Sequence, residues 1–402
     1  MSKKIGLIRE GKVPIDRRVS LSPSQAKLVK EKFGVELVVQ SSDIRCFSDK
    51  NYREAGLDIV ESVEDCDIIF GVKEVPLEKL VPGKTYFFFS HTIKKQEYNR
   101  KLLQTILAKE ITLVDWETLV NEHGNRIIAF GRWAGIVGAY NGLWAYGKRY
   151  HLFSLRRAHK CFDYEDLKTE YAKIKLPNIK IAITGGGRVA KGAMEVLHGV
   201  GIRKVTAHDF LSETFNEPVF TQLNSRDYHK RIDEGEFHRK EFYSNPKLYK
   251  GDFLKYAKVT DLLIAGAFWE PSLPVLFNRE DIVQDDFDIK VIADITCDIE
   301  GSIPSTKRAS MIEDPIYDYN PSDDLIEQAL TDEGNITVMA VDNLPCELPR
   351  DASESFGCEL INNVLSHLLE SDEDNVIKNA TITTAGSLTN RYSYLQDYVD
   401  GK

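Results

Sequence analysis

The sequence predicts an α/β protein made of two Rossmann-like domains with parallel sheets around a central cleft, the first domain discontinuous. Three observations carry that expectation. Short apolar runs alternate with helix-length amphipathic segments. The runs are apolar almost throughout, as in strands covered on both faces, instead of alternating. One of them leads into a glycine-rich turn that opens a helix. With 402 residues, 42% of them apolar, the chain can build two separate cores.

Taken in order, Ile5–Ile8 reads as the first strand. Ser22 and Pro23 form an N-cap and N1 pair that opens a helix to about Phe33, and Gly34 stops it. Val35–Val39, Ile68–Val72, Tyr86–Phe89 and Ile111–Val114 continue the strands. From Ile127 to Tyr150 small residues (Ala134, Gly135, Gly138, Ala139, Gly142, Ala145) stand between large ones, which predicts a tightly packed helix joining the two domains. Asp163–Lys175 reads as a solvated surface helix. The second domain then begins with the strand at Ile179, the glycine turn, a helix and a strand at Val205–Ala207 that ends at His208-Asp209. Further strands are expected at Asp261–Ala265 and Lys290–Asp294, separated from the first by a polar stretch, roughly 212–251, read as a solvated excursion ahead of a lid. Beyond Asp342 the pattern is helical with a terminal tail. The expected division is 1–135 plus 344–402 as the substrate (catalytic) domain and 136–343 as the dinucleotide-binding domain.

Composition narrows the function. A net charge of −10 and a pI near 5.5 argue against nucleic acid or an anionic membrane as the main partner. The uncharged stretch Trp133–Gly147 is too short to span a bilayer, and MSKKIGLIRE lacks the apolar core of a signal peptide, so a soluble cytoplasmic protein is expected. The six cysteines are far apart, without CxxC or histidine at ligand spacing, so no metal site is expected.

Two sets of residues carry chemistry. Gly185-Gly186-Gly187-Arg188-Val189-Ala190 fits G-x-G-x-x-G/A, in which glycines admit a pyrophosphate and the following helix points its N–H groups at the charge. Gly185, Gly187, Arg188, Val189 and Ala190 are therefore candidate cofactor residues. Asp209, at the expected end of the next strand, would bind the ribose diol of NAD and repel the 2′-phosphate of NADP. In the first half, Lys73 and His91 each follow an apolar strand, at the sheet edge where open α/β sheets bind ligands. Arg18 lies between the first strand and the capped helix, with the planar fork suited to a carboxylate. An arginine beside a lysine and a histidine is a plausible anion-binding and acid/base set.

On these residues the chain resembles the alanine dehydrogenase/transhydrogenase superfamily, and within it the lysine-forming saccharopine dehydrogenases. Arg18, GVKEVP around Lys73, HTIK from His91, Asp115-Trp116-Glu117, AFGRWAGIVGAYNG and ADITCDIEGSIPS carry the likeness. VDNLPCELPRDASESFG and ATITTAGSLTNRYSYLQ resemble the lysine–ketoglutarate reductase half of the bifunctional aminoadipic semialdehyde synthases. The resemblance implies reductive condensation of lysine with 2-oxoglutarate to saccharopine, or its reverse, with a nicotinamide cofactor. It implies Lys73 and His91 as the acid/base pair and Arg18 on a substrate carboxylate. Glu74 and Glu117 would face the amino-acid half, with Lys94 and Asp294 near the nicotinamide and Asp298 competing with Asp294. NAD is expected, with NADP as the alternative; an oligomer is compatible with the resemblance. Alanine dehydrogenase chemistry on pyruvate, ammonia and NADH stands as the rival reading, and a non-catalytic dinucleotide-binding protein as a second.

Overall fold

The computed structural model describes residues 3–402. It divides into two compact units, one containing the residues up to Phe130 together with Pro349–Lys402, the other Gly131–Leu348. In the first, strands β1 (Lys4–Leu7), β2 (Glu36–Gln40), β3 (Asp58–Val60), β4 (Ile68–Phe70), β5 (Thr85–Phe88) and β6 (Thr112–Asp115) all run parallel to one another. Both faces are covered, which is why strands such as IIF and TYFF carry buried residues at consecutive positions. The helix Pro23–Phe33 starts after Ser22 and ends at Gly34, whose φ of 61° is the left-handed conformation glycine adopts without a Cβ penalty.

The second unit contains β7 (Lys180–Thr184), β8 (Arg203–Lys204), β9 (Val219–Leu223), β10 (His229–Arg231), β11 (Tyr249–Gly251), β12 (Leu262–Ala265), β13 (Val291–Asp294), β14 (Ile316–Asn320), β15 (Leu325–Glu327) and β16 (Ile336–Met339). Its main sheet runs β15-β14-β16-β13-β12-β7-β9-β8, with only β14 antiparallel, to β15 and to β16. The helix Gly131–Arg149 packs against the helix Arg188–Val200 almost backbone to backbone. A Cβ on Gly135 would lie 1.9 Å from the Val189 carbonyl oxygen, and one on Gly192 2.0 Å from that of Arg132. The small-residue rhythm of this segment is thus a packing requirement.

Three expectations are corrected here. Asp163–Lys175 is not one helix: Tyr164–Lys168 is helical and Tyr171–Lys173 only a single tight turn. The stretch 212–251 is no solvated excursion. It contains β9 and the antiparallel pair β10–β11, and its Phe242 and Tyr249 form an apolar cluster with Leu273 from beyond it. The tail is not purely helical either. After the helix Pro349–Asn363 it returns to the first sheet as β17 (Thr381–Thr384) and β18 (Ser387–Leu388), giving the order β18-β17-β6-β5-β4-β1-β2-β3. Among the described residues no helix is long and apolar enough to cross a membrane.

Candidate active site

Within the first unit the carboxyl ends of β1, β4, β5 and β6 gather the chemistry. Gly71, Val72 and Lys73 follow β4, with the chain bending at Val72 and Lys73: the Gly71 N–H donates to the Phe87 carbonyl at 2.9 Å and the Phe89 N–H to that of Val72 at 3.0 Å. On the other side the Glu10 carboxylate accepts the N–H groups of Val72 (2.7 Å) and Lys73 (2.9 Å). The Lys73 side chain is half-buried, and no hydrogen bond or ion pair to its Nζ is found among the described residues. Burial, reinforced by the positive charges of Arg18 and Lys12, pushes its pKa below the ordinary lysine range.

His91 follows β5 in a left-handed conformation (φ 54°), which costs a non-glycine residue about 1 kcal/mol. Asp115, at the end of β6, holds that turn. Its buried carboxylate accepts the Ser90 N–H (3.0 Å) and hydroxyl and the Glu117 N–H (2.7 Å). The His91 ring lies over Phe89 and meets Glu74 Oε1 through Nδ1 at 2.6 Å. The other Glu74 oxygen accepts from Lys12 Nζ at 2.7 Å. Burial raises the Glu74 pKa, but the bonds from His91 and Lys12 outweigh it and bring it down to about 2. The expectation that Glu74 faces a substrate ammonium is therefore corrected. Both of its oxygens already meet protein side chains, Lys12 and His91, and it orients His91 instead.

Arg18 also differs from the expected open clamp. It is buried (2% exposed) and forks onto Asp16, with Nε 3.0 Å from Oδ1 and Nη2 2.6 Å from Oδ2, while its guanidinium lies over the Phe130 ring. Glu117 Oε1 lies 3.3 Å from Arg126 and 3.7 Å from Lys94. Glu117 Oε2 is buried without a hydrogen-bond partner. Lys12, Asp16 and Glu10 were not singled out from the sequence, and Asp115 was named there only as part of a motif that carries the resemblance, without a role. For Asp115 a signal existed: it is an acidic residue at the end of an apolar strand.

In the second unit Gly185 ends β7 at φ 96°, and a Cβ there would lie 3.0 Å from both Ala267 Cα and the Gly266 carbonyl oxygen. Gly187 caps the following helix with open space where its Cβ would be. Arg188 is exposed at the first helical position. Ala190 is buried, and Val189 packs where a Cβ on Gly266 would need to sit, so these two shape the turn. An exposed glycine at the N-terminus of a helix of 13 residues fits a dinucleotide pyrophosphate.

Asp209 is not at a strand end. The edge strand β8 stops at Lys204, and Asp209 lies in the short helix Ala207–Ser212, its N–H capped by the Thr206 hydroxyl at 3.1 Å. The strands beside β7 are β12 and β9, and the residue after β9, Asn224, lies at the glycine turn. A Cβ on Gly186 would lie 2.4 Å from Asn224 Oδ1. Asp294 is also engaged. Its carboxylate accepts from the hydroxyls of Thr296 and Thr306, both at 2.7 Å, and buttresses the end of β13. Burial pushes its pKa up. Asp298 is half-buried in the loop that follows. A cavity beside these strand ends is lined by Thr184, Ala265 and Thr296, and by Ser225, Tyr228 and Phe242 of the ordered insertion.

Comparison with known proteins agrees with this architecture. Residues 6–137 match the alanine dehydrogenase/PNT N-terminal domain family. The alpha-aminoadipic semialdehyde synthase, mitochondrial, of Mus musculus is 32% identical over 440 residues, spanning 98% of this chain and 47% of that protein. The saccharopine dehydrogenase [NAD(+), L-lysine-forming] of Candida glabrata is 27% identical over 359 residues, 87% of each chain. A solved L-alanine dehydrogenase superposes with a TM-score of 0.65 at 17% identity, covering 99% of both chains. The chain thus spans about half the length of the semialdehyde synthases it matches.

Proposed function

From this homology with the saccharopine dehydrogenases and semialdehyde synthases, and from an alanine dehydrogenase-like fold, we propose a nicotinamide-dependent oxidoreductase that interconverts saccharopine with L-lysine and 2-oxoglutarate. The first unit would be its catalytic part and the second its dinucleotide-binding part. The observation that carries this reading is Lys73, a half-buried amine lowered in pKa and without a protein partner for its Nζ among the described residues, beside a histidine oriented by a carboxylate.

Condensing an amine with a keto acid, losing water and reducing the imine require protons to be taken up and released at one centre. Lys73, whose pKa burial lowers from the ordinary lysine range, serves as the base. Glu74 holds His91 at Nδ1 and leaves Nε2 for proton transfer. The unsatisfied Glu117 Oε2 receives the substrate ammonium. Gly185 and Gly187 with the helix behind them would hold the dinucleotide pyrophosphate, and the bound nicotinamide supplies or accepts the hydride. With the neutral Asn224 following β9 beside the glycine turn, where an acidic residue would select NAD, the cofactor reading moves to NADP(H).

The test is oxidation of NADPH or NADH with lysine plus 2-oxoglutarate against ammonia plus pyruvate. The expected result is turnover with the first pair only, NADPH preferred, and a loss of kcat of roughly 100-fold or more in Lys73→Met and His91→Gln with dinucleotide affinity unchanged. Turnover with pyruvate and ammonia alone would replace this reading with alanine dehydrogenase chemistry.

A further inference from the structure

The pairing of β1 with β4 stops just where the chemistry starts. Leu7 is the last β1 residue in register with β4, opposite Phe70, and the Ile8 N–H makes one more bond to the Phe70 carbonyl at 2.9 Å. The chain bends at Val72 and Lys73, so that their two successive N–H groups face the same way where an extended strand would alternate them, and a continuing β1 could meet only one of the two. Instead the chain beyond β1 turns away toward Gly11, and the Glu10 side chain takes over. One carboxylate oxygen accepts Val72 and the other Lys73, at 2.7 and 2.9 Å. A carboxyl group bridging two successive N–H groups fixes both of their peptide planes far better than solvent would. The opposite side is already fixed, because Val72 accepts from Phe89, two residues before His91.

We propose that Glu10 is a positioning residue for the reaction: its carboxyl replaces the missing strand and fixes the backbone from which Lys73 rises. The proposal rests on Lys73 being the base, as read above. The charged groups that act on Lys73 are Arg18 and Lys12, which disfavour its protonated form, and Asp16 and Glu74, which favour it. Glu10 belongs to the same cluster. Burial and the Asp16 charge push its pKa up to about 8.

The test reads Lys73 directly, so that it does not depend on turnover. Full-length protein is labelled briefly with acetic anhydride at a series of pH values, and acetylation of Lys73 and of the exposed Lys101 is resolved by mass spectrometry. In the unsubstituted protein Lys73 should become reactive at lower pH than Lys101. Glu10→Gln keeps the shape but presents an amide NH₂ to one backbone N–H and removes the ionising carboxyl. It should shift the Lys73 profile to still lower pH, leave Lys101 unmoved, and lower kcat on the order of 10-fold to 100-fold with dinucleotide Kd unchanged. Glu10→Asp, which keeps the charge, should restore most of the Lys73 profile. Identical Lys73 profiles in Glu10→Gln and unsubstituted protein would overturn the proposal, as would loss of dinucleotide affinity in step with kcat. A Lys73 that labels like Lys101 in the unsubstituted protein would instead remove the base reading itself.

Discussion

The two sheet edges solve opposite problems. In the first unit nearly every functional side chain is already bound to another. Arg18 is held by Asp16, and Glu74 by His91 and Lys12; Ser90 is held by Asp115, and the backbone of Lys73 by Glu10. In the second unit the cofactor candidates are mostly backbone, with Gly185 in a conformation that excludes a side chain and Gly187 with room to spare. One edge is a charge network in which each group sets its neighbour's pKa and direction. The other is a surface shaped by what it lacks. Acid/base chemistry needs tuned protons, whereas pyrophosphate binding needs close approach to N–H groups.

The difference is sharpest in stability. Arg18→Ala leaves the buried Asp16 carboxylate without its guanidinium and removes the cation stacked on Phe130. Breaking one side of such a buried pair costs roughly 3–5 kcal/mol, so chemical denaturation should show a large fall in midpoint. A change below about 1 kcal/mol would mean that the pair is solvated and that Arg18 is available to a substrate carboxylate after all.

How much of this was legible beforehand follows the same division. Features written in side-chain type were readable: the apolar strands, Ser22-Pro23 and Gly34 around the first helix, the glycine turn, and Lys73 and His91 behind their strands. Features that depend on partners were not. Nothing in IREGK says that Glu10 will cap another strand, because the atoms it binds are backbone. Arg18 reads as a clamp only until Asp16 is seen to occupy its fork. The tail strand TITT is too polar to suggest a buried strand. It is accommodated because Thr383 Oγ1 donates to the Ile111 carbonyl (2.8 Å) and accepts the Leu113 N–H (3.1 Å). Asp209 was misplaced because β8 has only two residues, so that the strand able to flank β7 comes one element later.

The second unit yields a paired prediction. Gly185→Ala forces a Cβ into φ 96° and to within 3.0 Å of Ala267 and Gly266, which should cost about 1–3 kcal/mol of stability. Gly187→Ala meets nothing within 4 Å at an ordinary φ of −86°, so its unfolding midpoint should barely move. A methyl there would still stand between the helix N-terminus and a phosphate. Fluorescence titration with NADPH should therefore show weakened binding in a stably folded Gly187→Ala protein. Unchanged affinity would remove Gly187 from the cradle.

The smallest expected effect concerns Glu117, and it depends on one atom. Its Oε1 faces Arg126 and Lys94, but Oε2 is buried with no donor. A carboxylate oxygen out of water without a hydrogen bond is unfavourable, and a ligand ammonium arriving there would relieve it. Lysine carries such a group at a distance from its carboxylate; 2-oxoglutarate carries none. Glu117→Gln keeps an acceptor for Arg126 while removing the charge that would attract the ammonium. On this reading KM for lysine should rise roughly tenfold, equivalent to about 1.4 kcal/mol, with KM for 2-oxoglutarate unchanged. A charge lost from a general network would instead disturb both substrates, because Lys94 and Arg126 would be released together. Equal changes in the two constants would thus assign Glu117 to the network that characterises the rest of this edge, and not to the substrate.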